Sequence, residues 1–379
     1  MKKIKILFLT TSLTVGGAEK MLFETARNLN KDIYEPVVCC VKNRGYYGDL
    51  LLEEGIAVSY LGMGDGTGIF VLLQVPRVIM KLILLIKKTK PAILHSYLFR
   101  ANFLGRIAGR VAGVPVIISS IRRGYNEKRY HFFLYRLTNR LADIVIANSN
   151  NGRNYAIKHS GLKENKGVVI YNGIAKNSMH PAKTVSEIKK ELGLGETGAV
   201  IGMISRLHRV KGHSFLLKAA VWVLKKHPGT RFIIAGDGGI MNELKSDARK
   251  LGIEKEVIFT GERNDTANLM QIFDVFVLPS FSEGISNSIM EAMLMGKPVI
   301  STRVGGTAEL VKDNETGILI EPGDENALSE KIIWMIENKE KAKQLGAAGK
   351  KTIEENFTME AMISGTEKVY KELLSRKGI

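Results

Sequence analysis

Two carboxylates, Glu283 and Glu291, stand in one short stretch, Phe281-Ser-Glu-Gly-Ile-Ser-Asn-Ser-Ile-Met-Glu-Ala292. An ionised carboxylate only accepts hydrogen bonds, so each can take a pair of hydroxyls from a sugar or a ribose. The stretch follows an apolar run, Asp274-Val-Phe-Val-Leu-Pro-Ser280, which reads as a buried strand. Past a glycine-containing turn, a helix is expected to open near Ser286. Glu283 then lies in the turn at the strand's carboxyl end, and Glu291 one to two turns into the helix. Between them the amides of Gly284, Ile285, Ser286 and Asn287 point out of a helix N-terminus, a natural seat for an anion or polar ligand. The spacing alone is weak, since a Glu-rich chain yields such pairs by chance; the surrounding sequence gives it weight.

That surrounding reaches back to Ile201-Gly-Met-Ile-Ser-Arg-Leu-His-Arg-Val-Lys-Gly212, where an apolar strand ends at Ser205 and Arg206 and Lys211 follow in the loop. An arginine and a lysine on the carboxyl edge of a parallel sheet are the equipment for a diphosphate, although a merely solvated basic loop has the same composition. In this order and separation, Arg206, Lys211, Glu283 and Glu291 resemble the donor site of family 4 of the retaining glycosyltransferases. The resemblance covers nearly the whole chain. It includes Gly16-Gly17-Ala18-Glu19, Tyr171-Asn-Gly-Ile174, Ala235-Gly-Asp-Gly238 and Lys297-Pro-Val-Ile300 followed by Gly305-Gly306.

The resemblance implies the GT-B arrangement: two doubly wound, Rossmann-like α/β domains facing a cleft, with the last helix crossing back to the first. It implies a nucleotide-diphosphate sugar as donor, most simply UDP-linked, bound by Gly16, Gly17, Arg206, Lys211, Gly284 to Asn287 and Glu291. Glu283, Arg206 and Lys211 become the catalytic set. One position departs from the pattern. Many relatives carry a histidine just after the strand that here reads Val116-Ile-Ile-Ser-Ser-Ile121, whereas this chain has Arg122 and Arg123. The nearest imidazole is His95, in Ala92-Ile-Leu-His-Ser-Tyr97, either a catalytic candidate or simply a hydrogen-bonded residue at a strand end. No Asp-x-Asp occurs, so with Arg206 and Lys211 on the diphosphate neither a metal nor a cofactor is expected.

The elements that must position these residues alternate along the chain. Strands are expected near 3–10, 35–42, 57–61, 92–95, 115–119, 143–147 and 168–170, then near 199–204, 231–236, 256–260, 274–278, 298–301 and 317–320. Strands alternating with helices imply parallel sheets covered on both faces, with ligands outside the strands' carboxyl ends. At 379 residues, two domains fit better than one. We expect an acceptor domain over 1–175, a nucleotide-sugar domain over 176–356, and a crossover helix over 357–379. A dehydrogenase is the rival for such a chain. Its fingerprint, Gly-x-Gly-x-x-Gly directly after a strand, is not supplied by Thr10 to Glu19, which has only Gly16-Gly17, or by Ala235 to Gly239, which lacks the third glycine.

The apolar run from Ile4 to Thr10 is too short for a signal peptide and reads as the first strand. The two cysteines, Cys39 and Cys40, are neighbours on a strand, face opposite ways, and read as buried thiols in a reducing cytoplasm. Residues 1–175 carry 26 Lys and Arg against 11 Asp and Glu, while the rest carry 29 against 27. A basic first half points to an anionic partner. The apolar stretch Ile69–Lys90 is interrupted by Gln74, Pro76, Arg77 and Lys81, so it cannot span a bilayer yet can lie along one. Arg122, Arg123, Lys128 and Arg129, interleaved with aromatics up to Arg140, are the expected contacts to a membrane or an acceptor. The expected setting is therefore the inner face of a cell membrane, with a glycan on a lipid diphosphate as acceptor. Nucleic-acid binding by a non-catalytic Rossmann-like scaffold is the alternative, but it leaves the donor motifs unexplained and no nucleic-acid module is recognisable.

Overall fold

The computed structural model describes residues 3–42, 45–64, 69–122, 129–195 and 198–379, with the backbone alone at 69–72 and 129. The chain divides into two compact units, one made of the first 173 residues with Glu360–Ile379, the other of Ile174–Met359. In the first unit, β1 (Ile4–Thr10), β2 (Tyr34–Cys40), β3 (Ala57–Tyr60), β4 (Ile93–Tyr97), β5 (Val116–Ile121), β6 (Ile144–Ala147) and β7 (Gly167–Val169) form one parallel sheet. Its order is β3-β2-β1-β4-β5-β6-β7. The apolar runs are continuous because both faces are covered: Ile6 and Phe8 enter one core, Leu7 and Leu9 the other.

The right-handed rule for parallel crossovers decides which helix covers which face. The connections β1 to β2 and β2 to β3 run one way, placing α1 (Gly17–Asn28) and α2 (Tyr46–Glu53) on the face where Leu22, Phe23 and Leu51 are buried. The chain then reverses, so α3 (Ile69–Thr89), α4 (Phe99–Val111), α5 (Arg129–Thr138) and α6 (Asn150–Ser160) cover the other face. Val78, Leu82 and Ile86 of α3 meet Leu104 and Ala108 of α4 there. Cys39 and Cys40 separate into these two cores as free thiols, and burial pushes the Cys40 thiol up to about 11 and Cys39 higher still.

The second unit repeats the plan. Its strands are β8 (Val200–Ile204), β9 (Arg231–Ala235), β10 (Val257–Gly261), β11 (Val275–Leu278), β12 (Val299–Thr302) and β13 (Ile318–Ile320), in the order β10-β9-β8-β11-β12-β13. The helices are α7 (Val185–Glu191), α8 (His213–Lys226), α9 (Met241–Lys250), α10 (Thr266–Gln271), α11 (Asn287–Leu294), α12 (Thr307–Leu310), α13 (Glu325–Glu337) and α14 (Lys339–Asn356). The last helix, α15 (Met359–Ser375), returns to the first unit, where Tyr370, Leu373 and Leu374 are buried in the α1/α2 core. The units part at Gly173 and Met359, two or three residues from the boundaries expected. The Ile174 amide donates to the Phe357 carbonyl at 2.9 Å and the Met359 amide to the Ile174 carbonyl at 3.2 Å, which holds both crossing segments within the second unit. No described helix is long and apolar enough to cross a membrane.

At the centre of the second sheet, Gly202 leaves room for a ring. A Cβ there would meet Phe273 Cδ2 at 2.1 Å, and Phe273 is itself buried. We predict that Gly202→Ala costs about 1–3 kcal/mol through overpacking, read as a lower urea midpoint at unchanged slope.

Candidate active site

In the second unit β8 lies beside β11, but the chain leaves β8 toward β9 and leaves β11 toward β12, on opposite sides. The loops at their carboxyl ends therefore diverge and open a crevice at this switch point. Lys211 stands in the first loop and Glu283 in the second. Lys211 Nζ donates to Glu283 Oε1 at 2.5 Å, and Ser280 Oγ donates to the same oxygen at 2.6 Å. Glu283 is 8% exposed and Oε2 makes no hydrogen bond among the described residues, so one oxygen is anchored and the other is open to a hydroxyl.

Backbone contacts fix the same junction. The Phe281 amide donates to the Val210 carbonyl at 2.7 Å, joining the two loops. Gly212, at φ +76°, sits so close that a Cβ would lie 1.9 Å from the Pro279 carbonyl oxygen. Gly305, at φ +53°, approaches the Glu283 carbonyl so that a Cβ would lie 1.8 Å away. The Gly305-Gly306 pair is thus the backing of the Glu283 turn. Beyond it, Gly284, Ile285 and Ser286 are buried and α11 begins at Asn287. The Ser286 hydroxyl pairs with Ser288 Oγ at 3.2 Å and does not cap α11, whose first-turn amides are donors. Glu291 is buried in its second turn, and Arg206 is exposed in the β8 loop.

Two residues here escaped the sequence reading. Ser280 orients Glu283, and its only signal is its place directly after the strand. His213 opens α8, is buried, and its Nε2 meets Ser205 Oγ at 3.0 Å. Burial, then the nearby Lys211 charge, pulls the His213 imidazole down to about 4.

In the first unit the corresponding switch lies between β1 and β4. Gly16 is the extended N-cap of α1 and Gly17 its first residue. Glu19 in that first turn is buried and accepts from Ser12 Oγ at 2.8 Å. His95 does not suit the catalytic candidacy given it above. It is 1% exposed, Nδ1 meets Tyr370 Oη at 2.6 Å and Nε2 meets Ser120 Oγ at 2.9 Å, so neither nitrogen is open to a substrate. Burial and the Arg122 charge hold it far below the usual histidine range, hence neutral.

Arg122 also differs from expectation. Its guanidinium lies 4.9 Å above the Tyr97 ring and Nη1 donates to Asn172 Oδ1 at 2.6 Å. The side chain is held at the carboxyl edge of the sheet, which withdraws it from a lipid-facing role and leaves it suited to an anionic acceptor. Arg123 and Lys128 lie outside the described residues, and of Arg129 the backbone alone is described.

The model of the family "Glycosyltransferase Family 4" matches residues 15–177 and that of "Glycosyl transferases group 1" matches 184–352. The chain is 32% identical over 270 residues to the UDP-Gal:alpha-D-GlcNAc-diphosphoundecaprenol alpha-1,3-galactosyltransferase of Escherichia coli, covering 67% of this chain and 69% of that protein. It is 28% identical to the capsular polysaccharide biosynthesis glycosyltransferase CapM of Staphylococcus aureus, over 78% of this chain and 80% of that one. Among solved structures, Anabaena Alr3699/HepE in complex with UDP-glucose superposes with a TM-score of 0.87 at 26% identity, covering 97% of this chain and 100% of that one. The two-unit architecture is therefore the GT-B fold.

The depressed His213 value has a sign that can be measured. Between pH 6.5 and about 4 the unfolded chain takes a proton there that the folded chain refuses, so stability falls as pH falls. The loss amounts to roughly 3 kcal/mol at most. We predict a melting temperature that drops from pH 7 to pH 5 and a shallower drop in His213→Gln.

Proposed function

The chain belongs to family 4 of the glycosyltransferases, and from that premise we propose that it transfers a sugar from a nucleotide diphosphate, UDP in the first instance, with retention of configuration at the anomeric carbon. The acceptor in this reading is a hydroxyl of a glycan growing on a lipid diphosphate, in the assembly of a surface polysaccharide or glycoprotein glycan. The observation that carries it is the Lys211–Glu283 pair at the β8/β11 switch point, just before the start of α11. Further support comes from the UDP-glucose held by the Anabaena protein and from the undecaprenol-diphosphate acceptor named for the Escherichia coli relative.

Each residue then has a task set by its chemistry. An ammonium has three donors, so Lys211 can keep Glu283 and still bind a phosphate oxygen. With the Arg206 guanidinium it offsets the charge that grows as the bond from the anomeric carbon to the diphosphate oxygen breaks. Glu283 accepts from hydroxyls of the transferred sugar through its open oxygen. Glu291 takes the ribose hydroxyls, and the amides from Gly284 to Asn287 face the donor. The Gly16–Gly17 turn, with no side chain in the way, is read as a further diphosphate contact. The acceptor oxygen attacks on the face from which the diphosphate leaves, and its proton passes to the departing oxygen. No protein base is required if the partners are held in line.

In this reading neither a metal nor another cofactor takes part. A lipid-borne acceptor puts the enzyme at the inner face of a cell membrane as a peripheral, cytoplasmic protein.

Donor hydrolysis across a panel of nucleotide sugars, without acceptor, tests the reading directly, and turnover of none of them would overturn it. Lys211→Ala and Arg206→Ala should each lower turnover at least ~100-fold, with melting curves still cooperative and wild-type turnover retained in excess EDTA. The carboxylates should separate by calorimetry: Glu291→Gln should weaken the free nucleotide diphosphate, while Glu283→Gln should lower kcat and leave that affinity nearly unchanged.

A further inference from the structure

The outer layer of the first unit is apolar where a soluble surface is not. Leu73 (70% exposed), Met80 and Leu84 (60%) stand on α3, Val111 ends α4, and Tyr130, Phe133 (62%) and Leu137 stand on α5. On α3 the order Leu73, Arg77, Met80, Leu84 steps by four, three and four, so these side chains share one outward stripe of a helix about 30 Å long. Lys81 and Lys88 flank it on one side and Lys87 on the other, all exposed. On α5, Tyr130, Phe133 and Leu137 form a second outward stripe beside exposed Arg136. Both helices pack against α4, so the stripes lie on one layer of the sheet. None of α3, α4 and α5 contains an Asp or Glu.

We propose that this α3–α4–α5 layer is the surface by which the protein docks on an anionic bilayer. Leu73, Met80, Leu84, Tyr130, Phe133 and Leu137 enter the headgroup–acyl boundary, and Arg77, Lys87 and Lys88 meet lipid phosphates, while Lys81 Nζ donates to the Leu61 carbonyl at 2.9 Å. The proposal rests on the membrane reading above; it gives the expected Ile69–Lys90 contact its side chains and adds those of α5. Scattered exposed apolar residues need no explanation, but two outward apolar stripes on helices that flank α4 in one layer mark an interaction surface. The occupant follows from charge. Three helices with only basic charge repel a second copy of themselves and attract an anionic surface, and apolar residues beside bases are the composition of helices that lie in a membrane interface.

The test is vesicle flotation of the full chain with phosphatidylglycerol-containing and purely phosphatidylcholine vesicles, at low salt and at 1 M salt, where the Debye length is about 3 Å. The proposal expects preference for the anionic vesicles that weakens at high salt. It expects at least a tenfold loss of that binding in Leu84→Glu/Phe133→Glu and in Lys87→Glu/Lys88→Glu, with donor hydrolysis in solution unchanged. Wild-type binding that both variants retain would overturn the surface and leave the membrane reading standing. No vesicle binding by the wild type would overturn both while leaving transferase activity untouched. Light scattering that finds a wild-type dimer and a monomer in Leu84→Glu/Phe133→Glu would assign the layer to self-association and overturn the proposal.

Discussion

One carboxylate oxygen, beside the backbone bond from Phe281 to Val210, holds the crevice of the second unit in shape. The loops after β8 and β11 leave a parallel sheet in opposite directions, and nothing in the sheet's own hydrogen bonding keeps them together. Glu283 Oε1 joins them by accepting from Lys211 Nζ across the crevice, while Ser280 Oγ of its own loop donates to the same oxygen and fixes its place. Because Glu283 is buried and Lys211 half-buried, this charge-assisted pair is worth more than the exposed pairs elsewhere on the chain, and losing either partner would leave the other charge poorly satisfied. The close approach of Gly305 to the Glu283 carbonyl and of Gly212 to that of Pro279 is possible only without side chains. The site is thus rigid from the backbone outward, which electrostatic stabilisation of a leaving group demands.

The first unit uses a neutral device at its own switch point. His95 is clamped between Tyr370 of α15 and Ser120 of β5, which ties the returning end of the chain to the central strands. Its neutrality is a consequence of the design: burial and the Arg122 charge both oppose protonation, so the imidazole can serve as a fixed hydrogen-bond link. Directly after β5 the chain places a guanidinium, Arg122, stacked on Tyr97. It brings a permanent positive charge to the carboxyl edge of the sheet, chemistry suited to holding a phosphate and unsuited to taking a proton.

Nearly all of the fold was legible in the sequence because parallel strands, covered on both faces, read as uninterrupted apolar runs. Each expected strand appears within one or two residues, even short ones such as β7 and β13. Glu283, Lys211 and the start of α11 were legible because they follow such runs directly. What escaped depends on partners far apart in the chain. Nothing near His95 announces Tyr370, some 275 residues later, so a buried link resembled a candidate base. Likewise Arg122 looks like a surface charge until Asn172 and Tyr97 are brought to it. Ser280 was passed over because a serine after a strand is commonplace; its meaning lies in the 2.6 Å to Glu283.

The same reasoning separates two kinds of positive charge in the basic half. An arginine that directly follows a buried strand is held by the sheet's geometry and stands at the sheet's edge, as Arg122 does after β5. One that shares an outward stripe with Leu or Phe has no packing reason to be there, since the core is already complete beneath it: Val78, Leu82 and Ile86 bury the inner side of α3 without help from Leu73, Met80 or Leu84. An amphipathic helix needs one apolar face to fold against its sheet; α3 has an inner one and a second facing out. The second face leaves apolar area exposed to water beside bases, which is the pattern the proposed bilayer contact would cover.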